Sequence, residues 1–440
     1  MFISLQNHYW AKRCGDNYIV FHESLGEPVL LNQGNFARLK DGQVDSDFIA
    51  ELSSIGIFLD DRVHQNCRVK SESFISSYSG PVVLDLILSE VCNLCCHMCS
   101  HAQTMSISKD RARTSKLMSR DVATAWIDYY IDRHIPKMGL GKCIFHYGAA
   151  EPFLNKTTFL ESLRHIQRKV AGSNLEIEQL VNTNLTLLDD ELIEALKLHS
   201  VKVSVGLDGL ANENDSIRIT KKGEGTFHTI TRNIARLRQE GISVGVALTM
   251  TERNFLQTDP RSFLTAMTDI GVKTVLVDSD FIHRIPFDAD GITDVLVSFF
   301  KLGEELGVEI LGSWRTPFAN LTTENDNEPK AFCTSLLGKN LTITPSGALT
   351  FCTYSGVPLS HFSDDNFDSA IFQFTAAAKE LMSSRLPTLN DYCTNCPLAG
   401  LCSGGCYLTY EVTSNRHSMC DIYLAATSKL IDHMFSQETV

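Results

Sequence analysis

Four cysteines within eight residues, Cys92-Asn93-Leu94-Cys95-Cys96-His97-Met98-Cys99, are the densest chemistry-bearing group in the chain. They follow an apolar, strand-like run from Val82 to Leu88. Taken as Cys-x3-Cys-x2-Cys, the thiolates of Cys92, Cys96 and Cys99 can hold three irons of a four-iron cluster and leave the fourth iron open to a ligand that is not protein. The same stretch also parses as two abutting CxxC pairs, Cys92/Cys95 and Cys96/Cys99, of the kind found in zinc sites. Adjacent cysteines project in different directions, so joint use of Cys95 and Cys96 on one tetrahedral ion would be strained.

A second group lies near the C-terminus. Cys333 is followed by Gly347 and Cys352, then by Cys393-x2-Cys396-x5-Cys402-x3-Cys406 and finally Cys420. A zinc ribbon built from Cys393, Cys396, Cys402 and Cys406 leaves Cys333, Cys352 and Cys420 without a role. Between the two groups, polar residues recur at the ends of strand-like runs. These are Tyr147-Gly148-Ala149-Ala150-Glu151-Pro152, then Val181-Asn182-Thr183-Asn184, then Ser204 and Leu207-Asp208-Gly209, with Asp215 and Arg218 downstream.

The elements that must position these residues follow from the apolar pattern. Short β-branched runs at Val82–Leu88, Cys143–His146, Ile177–Val181, Val201–Val205, Ser243–Leu248 and Val272–Val277 alternate with amphipathic stretches. The helical stretches are Ser119–Arg133, Thr158–Val170, Asp189–Leu198, Thr229–Glu240 and Arg261–Ile270. Six such repeats predict an α/β fold, a partial (β/α)6 TIM-like barrel, with sites at the C-terminal ends of its strands. The Cys92 loop falls at the first of those ends.

Three domains are expected: 1–78, 79–314 and 315–440. The first has strands at Tyr18–His22 and Pro28–Leu31 joined through a turn at Gly26, a helix at Asp45–Ser54, a third strand at Gly56–Leu59, and a Ser-rich linker over Ser71–Gly80. The last is a Cys-rich block with few long periodic segments before a closing helix at Leu424–Phe435, so metal sites are expected to hold it together.

Composition narrows the class. The chain has 440 residues, 43% of them apolar and 21% charged, as in a soluble globular protein of two or three domains. A net charge of −13 argues against a nucleic-acid partner but leaves a basic peptide open. No apolar run spans a membrane, and Met1–Trp10 lacks the order of a signal peptide, so a cytoplasmic location is expected. There, 14 cysteines are better read as metal ligands than as disulfides.

The spacing of Cys92, Cys96 and Cys99 resembles that of the radical S-adenosylmethionine (SAM) superfamily, whose open iron binds the amino and carboxylate groups of SAM. The resemblance implies a [4Fe-4S] cluster on those three thiolates and SAM contacts at successive strand ends. Ala149, Ala150 and Glu151 match the Gly-Gly-Glu of the family's Gly-Gly-Glu-Pro, with methyl groups added at both glycine positions. The segment Asn182-Thr183-Asn184 stands where the family carries a polar Thr-Asn pair near the ribose and carboxylate, which implies SAM contacts at Asn182 and Asn184, and Met98 would meet adenine through its backbone. Asp208 matches its Asp-Gly segment, and Arg218 would hold the SAM carboxylate. The family's Ser before Leu-Asp-Gly is Gly206 here, so its hydroxyl contact is absent or comes from Ser204.

The seven C-terminal cysteines resemble the SPASM domain of radical SAM enzymes, which carries two auxiliary [4Fe-4S] clusters. By that resemblance Cys393, Cys396, Cys402 and Cys420 ligate one cluster, and Cys333, Cys352 and Cys406 the other. The last set has one position open, to be filled by a carboxylate such as Asp326 or left as an open iron.

SPASM enzymes mostly modify peptides, and residues 1–78 resemble the winged-helix-like element that binds a leader peptide as an added β-strand. The resulting expectation is a radical SAM peptide maturase that installs an oxidative cross-link, carbon–carbon, ether or thioether, in a ribosomally made precursor. It would draw electrons from an external reductant of the flavodoxin or ferredoxin type. The alternatives are a sulfatase-maturating side-chain oxidase, and a non-catalytic iron–sulfur or zinc protein. The former enzymes place an Asp directly after the second SPASM cysteine, where this chain has Thr353.

Overall fold

The structure is a computed structural model that describes residues 1–6, 8–22, 28–59, 62–99, 117–280, 288–323, 328–355, 359–361, 366–386, 393, 395–406 and 416–437, without the side chains of 62–68, 360–361, 416–418 and 437. The Gly26 turn and Asp326 lie outside these residues.

Four antiparallel strands open the chain: β1 (Phe2–Ser4), β2 (Tyr9–Cys14), β3 (Asn17–His22) and β4 (Val29–Asn32), hydrogen-bonded in that order. Two helices, Gln33–Lys40 and Ser46–Ser54, cover one face. Asn32 and Asp45 cap them by accepting the amides of Asn35 and Phe48. Tyr9, Ala11, Val20, Phe36, Phe48 and Leu52 form this small core, and Tyr18 stacks on Phe36 with centroids 3.6 Å apart.

Two expectations for this region are corrected. Gly56–Leu59 is not a strand. The helix ends through Gly56 at φ +91°, and the Ile57 amide returns to the Leu52 carbonyl at 2.9 Å, so Ile57 reaches the core as part of a helix stop. Ser71–Gly80 is not a linker either, because a helix runs from Arg62 to Ser77. Its serines bond back to the preceding turn, Ser76 to the Ser73 carbonyl and Ser77 to that of Phe74. Phe74, Ile75 and Tyr78 meanwhile pack on the main core. The added strands β1 and β2 make the first unit a four-stranded α+β sheet.

The main sheet carries six parallel strands at the expected places: β5 (Val83–Leu86), β6 (Lys142–Tyr147), β7 (Glu176–Thr183), β8 (Lys202–Gly206), β9 (Val244–Met250) and β10 (Thr274–Ser279). Each crossover carries a helix, including Arg120–Tyr129, Lys156–Val170, Asp190–Leu198, Phe227–Gln239 and Pro260–Asp269. Alternate residues such as Cys143, Phe145, Tyr147, Val181, Val203, Val205, Val246, Leu248, Val275 and Val277 are buried in the core. The opposite parity, including Asp85, His146, Asn182, Ser204 and Asp278, therefore faces the barrel interior. At the base Lys142 bridges Glu176 and Glu178 at 2.9 and 2.8 Å, and Lys202 meets Glu178 at 2.7 Å.

The sheet does not stop at six strands. β11 (Glu309–Leu311) adds to β10, while β12 (Asn340–Ile343) pairs parallel with β5 and continues into β13 (Ala348–Thr350) and β14 (Ser360–His361). The C-terminal block is thus joined to the barrel through the strand that leads into the Cys92 loop. It is also more helical than expected. Helix Phe367–Arg385 buries Ala370, Ile371, Phe374, Ala378 and Met382, a helical stripe, and the closing helix begins at Arg416 and runs to Gln437. Among the described residues no helix is long and apolar enough to cross a membrane.

Candidate metal and cofactor site

The cysteine loop emerges from β5 through a turn in which the Ser89 hydroxyl contacts the Val91 carbonyl and amide at 2.9 and 3.2 Å. Two neighbours then hold it. From the end of β7, Asn184 Nδ2 donates to Asn93 Oδ1 at 2.9 Å and reaches Cys92 Sγ at 3.5 Å, while Asn93 donates to Thr186 Oγ1 at 2.8 Å. From beyond β8, the Ile219 carbonyl accepts the Cys95 amide at 2.8 Å and the Ile217 carbonyl accepts the His97 amide at 3.1 Å. This short antiparallel pairing sets Cys96 directly opposite Arg218 on one face and leaves Cys95 exposed.

Burial raises the Cys96 thiol to about 12, with the Arg218 guanidinium the strongest opposing influence. Cys92 is likewise raised by burial, against the Leu94 amide and Asn184. The charges of Cys92 and Cys99 act on Cys96, and that of Cys99 acts on Cys92, so the three thiols share one electrostatic neighbourhood. Three soft, mutually close sulfurs beside a fixed cation suit a multi-iron cluster. Among the described residues no His, Cys, Asp or Glu side chains converge as ligands of a single metal ion.

Glu151 ties the strand ends together. Its carboxylate, wholly buried, accepts the Phe153 amide at 3.0 Å, the Thr183 hydroxyl at 2.8 Å and the Asn184 amide at 2.8 Å. Burial pushes its pKa up to about 7 against those donors. The Glu151 amide in turn donates to the Val91 carbonyl at 3.2 Å, joining this turn to the cysteine loop. Ala149 adopts φ +76°, the left-handed region that favours glycine.

Several residues singled out from sequence spend their polar atoms on the protein itself. Asn184 also accepts from the Thr186 amide and hydroxyl at 3.0 and 2.6 Å. Asp208 accepts the Thr249 amide at 2.8 Å and pairs with Arg218 Nε at 2.6 Å, a contact not aligned as a hydrogen bond. Asp215 accepts the Thr226 and Phe227 amides at 2.7 and 2.8 Å, capping the helix that follows. Asn182 and Ser204 are register partners facing the barrel interior. Met98, Ala149 and Ala150 are half-buried at its mouth.

Two interior groups escaped the motif-based reading. Asp85 accepts from His146 Nδ1 at 2.8 Å, Thr342 Oγ1 at 3.0 Å and Asn340 Nδ2 at 3.2 Å. Burial pulls the His146 pKa down, but Asp85 outweighs it, and the net shift is upward. Asp278, at the end of β10, accepts from the Ser313 amide and hydroxyl, both at 2.7 Å, and burial raises it to about 6. The available signal was a lone polar residue at an inward position of an apolar strand.

The C-terminal thiols fall into two neighbourhoods. Cys352 is raised by burial, then by the charges of Cys406 and Cys333. Cys402 is raised by burial, then by Cys420, Cys396 and Cys393. Tyr423 is under the influence of Cys402, Cys406 and Cys420, members of both.

A parallel barrel with a three-thiol loop at its first strand end defines a radical SAM domain, and residues 86–254 match the family model described as Radical SAM superfamily. The chain thus carries a radical SAM domain and is an enzyme. With that domain the chain calls for a [4Fe-4S] cluster and SAM. It is 23% identical over 363 residues to the radical SAM cyclopropyl synthase TigE of Paramaledivibacter caminithermalis, covering 79% of this chain and 74% of that protein. It is 20% identical over 370 residues to the serine-type anaerobic sulfatase-maturating enzyme of Klebsiella aerogenes, covering 80% and 86%. Among solved structures, native anSMEcpe with bound AdoMet matches with TM-score 0.64 at 17% identity, over 81% of this chain and 98% of that one. Streptococcus suis SuiB bound to precursor peptide SuiA matches with TM-score 0.56 at 14% identity, over 96% and 100%. The structural likenesses show a shared fold.

Proposed function

We propose that this chain is a peptide-modifying radical SAM/SPASM maturase that installs an oxidative cross-link, carbon–carbon, ether or thioether, in a precursor peptide. The observation that carries the reading is the separation of the C-terminal thiols into a Cys333/Cys352/Cys406 set and a Cys393/Cys396/Cys402/Cys420 set, beside a third set at the barrel mouth. In this reading Cys92, Cys96 and Cys99 hold the SAM-binding cluster, and the C-terminal sets hold two auxiliary [4Fe-4S] clusters.

The bound cluster and SAM supply a one-electron cleavage that yields a 5′-deoxyadenosyl radical able to take hydrogen from unactivated carbon. The chain's own residues fix and shield that chemistry. Glu151 and Asn184 set the loop, the backbone at Ala149 and Ala150 faces the SAM amino group, and Asn182, Ser204 and Arg218 line the remaining cofactor wall. Met98 meets adenine through its backbone. The barrel interior, with Asp85, His146 and Asp278, receives the substrate side chain.

The precursor leader adds as a strand to an edge of the N-terminal sheet, whose outer strands are β1 and β4. Three functional units, 1–78, 79–314 and 315–440, divide recognition, radical generation and auxiliary electron transfer. A flavodoxin- or ferredoxin-type reductant delivers the electron. SuiB, which shares the fold, is bound to its precursor peptide SuiA, and this supports a peptide partner here. A second reading, protein side-chain oxidation of the sulfatase-maturating type, is favoured by the match to the Klebsiella aerogenes relative over 80% of this chain and 86% of that protein, but Thr353 stands where those enzymes carry an Asp.

Mass spectrometry of small peptides encoded beside the gene, co-expressed with the chain, tests the reading. Loss of two hydrogens per modified site supports a cross-link, whereas gain of oxygen alone contradicts it.

A further inference from the structure

We propose that Gly206, Asp208 and the Ile217–Ile219 backbone form one device that fixes the Arg218 guanidinium beside Cys96 and Cys99, and that this charge sets the reduction potential of the cluster those thiolates hold. The inference rests on the reading that Cys92, Cys96 and Cys99 carry an iron–sulfur cluster.

Three independent constraints meet on Arg218. The first is register: the pairing of Cys95 with Ile219 and His97 with Ile217 makes Cys96 and Arg218 facing partners, whose side chains share one side of the ladder. The Arg218 amide is itself held by the Asn214 carbonyl at 2.7 Å, and its carbonyl by the Thr226 hydroxyl at 2.8 Å.

The second is charge. Asp208, wholly buried, pairs with Nε at 2.6 Å, and the Thr249 amide anchors its other oxygen at 2.8 Å. The guanidinium is then aimed rather than free, with its side chain only 13% exposed. Arginine does not lose its proton in a protein, so the charge is permanent.

The third is space. A Cβ at position 206 would lie 2.5 Å from both Nη1 and Nη2 and 2.6 Å from Cζ. Gly206 does not have a positive φ, so its backbone does not demand glycine. The missing side chain is instead the room in which the guanidinium rests. This accounts for the departure at position 206 from the Ser of the resembling family.

Cys96 and Cys99 both act on the Arg218 guanidinium, which places its charge beside those sulfurs. Positive charge near cluster sulfurs stabilises the reduced, more negative state and raises the potential. Arg218 is a positioning residue in this sense, acting through the thiolates.

The test is an EPR-monitored redox titration of the anaerobically reconstituted full chain, following the signal that changes on SAM addition. Arg218→Gln should shift the midpoint to lower potential by at least a tenfold change in the reduction equilibrium, ~59 mV for one electron. Gly206→Ser should shift it in the same direction although the arginine is retained, and Arg218→Lys should shift it less than Arg218→Gln. Iron content and thermal melting confirm that each variant is loaded and folded. Wild-type midpoints in both Arg218→Gln and Gly206→Ser overturn the proposal. A shift in Arg218→Gln alone overturns the steric part of the device. If the wild type assembles no iron–sulfur cluster, the functional reading falls and this inference with it.

Discussion

Glu151 Oε2 accepts the backbone amide of Asn184 at 2.8 Å, a bond that helps lock the turn after β6 to the end of β7 beneath the cysteine loop. The same carboxylate holds the Phe153 amide and the Thr183 hydroxyl. Replacing it with alanine leaves three buried donors without an acceptor, each worth ~1–3 kcal/mol. Glu151→Ala should therefore lower stability by about 3 kcal/mol or more, read as a fall in the denaturant midpoint. It should also weaken SAM binding, because Asn184 positions Cys92 and Asn93. A variant with an unchanged midpoint would contradict this role.

Ala149 carries a methyl group at φ +76°. A left-handed alanine is disfavoured by roughly 1–2 kcal/mol, part of which glycine gives back through its freer unfolded chain. Ala149→Gly should raise stability by about 0.5–1 kcal/mol, seen as a higher melting temperature. A lower melting temperature would show that the methyl packs favourably enough to offset its backbone.

Asp278 titrates near 6 rather than at its ordinary 3.8 because burial disfavours its charge more than Ser313 compensates. A raised folded pKa contributes stability that is fully present below about 4 and is lost as pH rises through about 6. Asp278→Asn keeps an acceptor for Ser313 and removes the ionisation. Its melting temperature should match or trail the wild type at about pH 4 and exceed it at about pH 8. Parallel pH curves for the two proteins would contradict the assignment.

Phe374 lies wholly buried in helix Phe367–Arg385, with its ring 5.1 Å from that of Phe351, next to Cys352. Truncation to alanine should cost about 3–5 kcal/mol. It should also speed alkylation of Cys352 in the metal-free protein, measured by peptide mapping. An unchanged alkylation rate would mean that this helix does not shield the thiol.

The barrel was legible because β-branched runs fully buried on one side, such as Val201–Val205 and Ser243–Leu248, alternate with amphipathic stretches at a fixed rhythm. Strand β2, Tyr-Trp-Ala-Lys-Arg-Cys, was hidden by its basic pair. Lys12 is nonetheless 4% exposed, because it finds Asp432 on the closing helix, a partner 420 residues away. Helix Arg62–Ser77 was masked by serines whose hydroxyls the helix itself absorbs. In the site, cysteine spacing marked the thiols, since ligand spacing is a local property. The opposition of Cys96 and Arg218, and the dependence of that arginine on Gly206, arise from pairing between distant segments and needed the fold.

The central claim is that Cys92, Cys96 and Cys99 hold a SAM-cleaving cluster while Cys95 does not. Anaerobic reconstitution followed by dithionite and SAM tests it most directly. Three four-iron clusters give about 12 irons per chain, and the wild type and Cys95→Ala should both release 5′-deoxyadenosine. Replacing Cys92, Cys96 and Cys99 together by alanine should abolish that release. A zinc-filled protein that releases none, or a Cys95→Ala variant as inactive as the triple variant, would contradict the account.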